Sequence, residues 1–83
     1  MHKQLNEQGK SAISRVYDFI VDFITTNGYS PSFREISEGT GIKSTLTVRE
    51  QLYMLEQLGK IHTQEFKPRT ISLVGYRLKK GED

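Results

Sequence analysis

The 83-residue sequence predicts a mostly α fold closed by a small β-hairpin. Three observations carry that expectation. Two stretches place apolar residues at helical spacing, and a short stretch between them is marked by a capping box and ended by glycines. Hydroxyl residues with capping character stand at the helix starts. Past the third stretch the period changes from helical to alternating around Lys67-Pro68-Arg69.

The first helix spans Ser11 to Thr26, with Ile13, Val16, Tyr17, Ile20, Phe23 and Ile24 on the repeating face and Asn27-Gly28 as a stop signal. Tyr29-Ser30-Pro31-Ser32 breaks the pattern. Ser32 with Glu35 three residues later forms a capping box for a short second helix through about Glu38, ended by Gly39 and Gly41. Ser44 is the N-cap of a third helix that runs to Leu58 and stops at Gly59. In the turn between these two helices, Ser37 is small enough for close approach and Gly41 tolerates positive φ. Lys60 to Phe66 and Thr70 to Val74 then alternate as the two strands of a hairpin with a basic tip. Two helices joined by a short turn and followed by such a hairpin make a three-helix winged helix-turn-helix.

The third helix carries two stripes. Val48, Leu52 and Leu55 repeat at i, i+4 and i+7 and face the core. Leu46, Arg49, Glu50 and Tyr53 repeat on roughly the opposite face and combine an apolar group, a cation, an anion and a phenol. An ordinary solvated face is more uniformly Lys and Glu; this mixture suits base edges and phosphates in a major groove.

Composition bounds what else the chain does. With 35% hydrophobic and 27% charged residues it reads as one small folded domain, and eight aromatic residues contribute to its packing. The absence of Cys excludes a disulfide framework and thiolate metal ligation. No apolar run approaches the roughly 18 residues of a membrane span, and the polar start MHKQLNEQGK has no signal-peptide core, so a cytoplasmic protein is expected. Residues 43 to 80 hold eight basic against three acidic side chains, whereas residues 1 to 42 hold four against five. A basic half on a small domain suits a polyanion. His2 and His62 stand in no catalytic or metal-ligand spacing, so neither an enzyme, a metal nor a cofactor is expected, and no small-molecule substrate.

Five segments in order, GYSPSFREIS at 28 to 37, TGIKS at 40 to 44, Thr47-Val48, LEQLGKI at 55 to 61 and KPRTISL at 67 to 73, make residues 10 to 75 closely resemble the DNA-binding domain of the LexA repressor family. The resemblance implies a winged helix-turn-helix whose third helix enters the major groove of a palindromic operator. It implies transcriptional repression, with a place in the SOS response to DNA damage. By similarity, Ser44, Leu46, Thr47, Arg49 and Glu50 occupy the base-reading positions.

Their chemistry fits those positions. Arg49 suits a bidentate contact to guanine; Glu50 accepts from cytosine or orients Arg49; Leu46 and the Thr47 methyl pack on thymine methyls. Ser44 caps the helix at an end that attracts anions. For the backbone, Ser32, Arg34 and Lys43 sit near helix starts, Tyr53 donates a phenol, and Lys67 and Arg69 arm the wing. The expected organisation is a flexible segment over 1–10, the domain over 11–75 and a polar tail over 76–83.

Full-length members of that family continue into a domain with an Ala-Gly cleavage site and a Ser/Lys dyad, which is also their main dimerisation element. None of this falls within the 83 residues. The expectation is an excised DNA-binding domain or a short stand-alone relative that does not self-cleave and pairs at most as a weak homodimer on operator DNA. The alternative is a winged helix used as a protein-interaction module, since a Leu and a Tyr on the outer stripe also suit a protein surface.

Overall fold

The computed structural model describes residues 11–64, 67 and 69–75. The expectations for residues 1–10 and 76–83, and for Glu65, Phe66 and Pro68 in the wing, lie outside the described residues. Three helices, α1 (Ala12–Asn27), α2 (Phe33–Thr40) and α3 (Thr45–Gln57), are followed by β1 (Ile61–His62) and β2 (Ser72–Leu73). The strands pair antiparallel with Ile61 opposite Leu73 and His62 opposite Ser72. This is the helix order and closing hairpin of a winged helix-turn-helix.

The core follows the apolar periodicity. Val16, Ile20 and Ile24 of α1 meet Ile36 of α2 and Val48, Leu52 and Leu55 of α3, with Ile61 and Ile71 closing the cluster from the hairpin. Val48 and Leu52 are fully buried. Truncating a buried Leu of this kind removes roughly 2 to 5 kcal/mol, so the inner stripe of α3 fixes which face of that helix remains outside.

Two local features differ from the sequence expectation. The second helix does not end at Gly39 but continues to Thr40. A Cβ at Gly39 would collide with the ring of Phe19, so this glycine serves the close approach of α1 and α2 rather than termination. Gly41 is the residue that ends α2, at φ 79°, its amide donating to the Ser37 carbonyl at 3.0 Å. The Ser37 hydroxyl in turn donates to the Ile42 carbonyl. The serine therefore ties the turn as well as allowing the helices to approach.

The wing strands are two residues each rather than the longer runs that alternation suggested. Side-chain bonds replace the ladder toward the tip. The Gln64 amide donates to Thr70 Oγ1 at 3.1 Å, and Thr70 Oγ1 donates to the Lys67 carbonyl at 2.8 Å. Thr70 thereby closes the turn that the strands alone would have to hold.

Candidate nucleic-acid interface

Helix α3 begins at Ser44, whose hydroxyl accepts from the Thr47 amide at 3.2 Å while its carbonyl accepts from the Val48 amide at 3.1 Å. The amides of Thr45 and Leu46 have no acceptor among the described residues, and the first turn contains no acidic side chain. The positive end of α3 is consequently open to an external acceptor or anion.

The outer stripe is exposed as its spacing required. Leu46 is 62% and Tyr53 55% exposed, and Arg49 and Glu50 also face outward. Thr47 is half-buried at the edge of this surface. Arg49, Glu50 and Tyr53 line one shallow open recess together with Gln51 and Met54. Sequence reasoning omitted those last two residues. Met54, 50% exposed, continues the row Leu46–Glu50 by one more step of four, so the signal was present in the periodicity.

Around this centre, Lys43 and Arg34 are exposed at the approaches to α3 and α2, and Lys67 is exposed in the wing. Ser32 is engaged internally: its hydroxyl accepts from the Glu35 amide at 3.1 Å, and its own amide donates to Glu35 Oε1 at 2.9 Å. The capping box anticipated from sequence is thus complete, and α2 begins with its own acid in place.

Arg69 adopts φ 58° and turns back toward the helices. Its guanidinium lies 3.0 Å (Nη1) from Glu35 Oε1 and donates from Nη2 to Oε2 at 3.1 Å. Nη1 also donates to the Ser30 carbonyl at 3.1 Å, and the group lies 5.3 Å from the ring centroid of Tyr29. The bond from the Ser32 amide, and after it the Arg69 guanidinium, hold the Glu35 carboxyl below the usual carboxylate range; the same carboxylate raises the Arg69 pKa. Ser30, buried, completes the cluster by accepting from the Ile71 amide at 3.1 Å. Sequence reasoning put Arg69 on the wing and Glu35 in the cap without joining them, because no local pattern relates residues 34 positions apart.

The sequence profile of the LexA DNA binding domain matches residues 10–70 of this chain. The LexA repressor of Staphylococcus epidermidis is 43% identical over 65 residues, which cover 78% of this chain and 32% of that repressor. The LexA repressor of Staphylococcus haemolyticus is 44% identical over 61 residues, covering 74% and 30% respectively. That of Clostridium perfringens is 39% identical over 61 residues, with the same coverage. The chain spans about a third of the length of the curated relatives it matches.

Proposed function

Since this chain belongs to the LexA DNA-binding domain family, we propose that it binds double-stranded DNA sequence-specifically, as a transcriptional repressor or the operator-binding part of one. The observation that carries the reading is the outer face of α3. An open helix N-terminus stands directly before a stripe of Leu46, Arg49, Glu50 and Tyr53, on a helix whose opposite face is locked into the core. Such a helix presents base-reading side chains while its first amides meet a phosphate or a base-edge acceptor.

In this reading Arg49 donates both guanidinium arms to guanine, and Glu50 accepts from a cytosine amine or orients Arg49. Leu46 and the Thr47 methyl contact thymine methyls. Ser44 helps set the end of α3 against the DNA. Lys43, Arg34, Ser32, Tyr53 and the wing residue Lys67 provide backbone contacts, which fix register without reading sequence. Repression follows from occupancy: α3 in the major groove excludes polymerase or a competing factor. Weak pairing of two copies on a palindromic operator, a cytoplasmic location and a role in the SOS response belong to the same proposal, which involves no catalysis, cofactor or small-molecule substrate.

Selection of bound sequences from a random duplex library, followed by titration of the enriched duplex at two salt concentrations, tests it. The expected result is an enriched site whose affinity falls steeply with salt. The exposed Leu46, Tyr53 and Met54 also fit a protein partner. No enrichment, with no salt-sensitive binding, would favour that second reading.

A further inference from the structure

Glu35 performs two tasks at once. Its Oε1 closes the capping box on the Ser32 amide, and both carboxylate oxygens hold the guanidinium of Arg69. Arg69 is attached to the wing's own turn: the next residue, Thr70, donates to the carbonyl of Lys67. The Ile71 amide then donates to Ser30 in the loop between α1 and α2. One carboxylate therefore links the start of α2, the preceding loop and the wing.

We propose that Arg69 and Glu35 are positioning residues for DNA binding, holding the wing so that Lys67 meets the phosphate backbone from a fixed place. The proposal rests on the DNA-binding reading above. Two physical points separate it from a direct phosphate contact by Arg69. The guanidinium already donates to a carboxylate and a carbonyl, which leaves few of its five N–H groups for another acceptor. A phosphate brought against it would also approach the Glu35 carboxylate and be repelled. Lys67, by contrast, has no ion pair or side-chain hydrogen bond among the described residues and is exposed.

The nature of the pair supplies the test. A planar fork matched to two carboxylate oxygens is not replaced by an ammonium, whereas a simple phosphate contact largely is. Binding of the selected duplex is measured across a salt series for the wild type, Arg69→Lys, Arg69→Met, Glu35→Gln, Lys67→Ala and the double variant Lys67→Ala with Arg69→Met. Glutamine still serves at that position of a capping box, so Glu35→Gln keeps α2 closed while weakening the hold on Arg69. The expected result is that Arg69→Lys and Arg69→Met weaken binding alike, by about tenfold. Glu35→Gln weakens it less, and Lys67→Ala has little further effect once Arg69 is Met. Wild-type affinity in Arg69→Lys, or unchanged or tighter binding in Glu35→Gln, would overturn the proposal and make Arg69 itself the contact.

Hydrogen exchange of the Ile71 amide in the free protein supplies an independent arm. It should exchange faster in Arg69→Met and Glu35→Gln if the pair holds the wing; unchanged exchange in both would contradict this. If the wild type binds no duplex, the DNA-binding reading fails by itself, and the Ile71 exchange still decides whether the pair secures the wing.

Discussion

The starts of α2 and α3 are built from the same residue to opposite ends. Each opens on a serine whose hydroxyl accepts from the third amide of its helix, Ser32 from Glu35 and Ser44 from Thr47. At α2 the third residue is an acid that returns the bond and is itself held by Arg69, so the positive end of the helix is neutralised from within. At α3 the third residue is a threonine and no acid stands in the first turn. The difference shows how one local motif serves stability in one helix and is left incomplete in the next, where an external anion can finish it.

The largest effect should come from making the second end resemble the first. Thr45→Glu places an acid in the first turn of α3, which favours the helix by about 0.3 to 1 kcal/mol. On the DNA-binding reading the same carboxylate repels phosphate and reduces affinity by about tenfold or more. Thermal unfolding and duplex titration should therefore move in opposite directions.

Arg49→Ala should relax selectivity at one base position, with a loss of roughly 1 to 3 kcal/mol against the preferred base, read by repeating the sequence selection. The paired substitutions Ser32→Ala and Ser44→Ala each remove a cap worth about 1 kcal/mol of stability. Their binding effects should diverge, with Ser44→Ala losing the contact at the end of α3 that sets the reading helix, and Ser32→Ala losing only one backbone contact and so distinctly less affinity. Equal losses of affinity would remove the distinction between the two ends.

The smallest effect is a pH dependence centred on the Glu35 carboxylate, which joins the start of α2 to the wing. The folded-state pKa of Glu35 lies below its ordinary value, chiefly through the Ser32 amide and then through Arg69. The unfolded chain thus takes up the proton first as pH falls. This contribution to stability is fully present above the unfolded value of about 4.5 and is lost as pH drops through the lower folded value. Glu35→Gln should flatten that part of an acid-unfolding profile.

Much of this arrangement was legible in the sequence because it is local. The capping box needs only Ser32 and Glu35 three apart, the two stripes of α3 need only helical spacing, and the order of three helices and a hairpin follows from where each period stops. At Gly39 the same locality misleads. Near a helix end a glycine looks like a terminator, and only the Phe19 ring, contributed by another helix, explains one in the interior. Alternation overextends the wing strands because it registers β character without showing that Thr70 supplies bonds in place of the ladder. The bond from Arg69 to Glu35 was invisible because both residues have complete local explanations, and their meeting depends on how the hairpin packs back on the helices.

The most direct test of the contrast between the two helix starts is an NMR titration of the protein with its selected duplex, following backbone amides. The account predicts the largest shifts at Thr45, Leu46 and Thr47, continuing along the outer face of α3 to Tyr53, with far smaller changes at Phe33 and Glu35. Equal shifts at the two ends, or larger ones at α2, would contradict it.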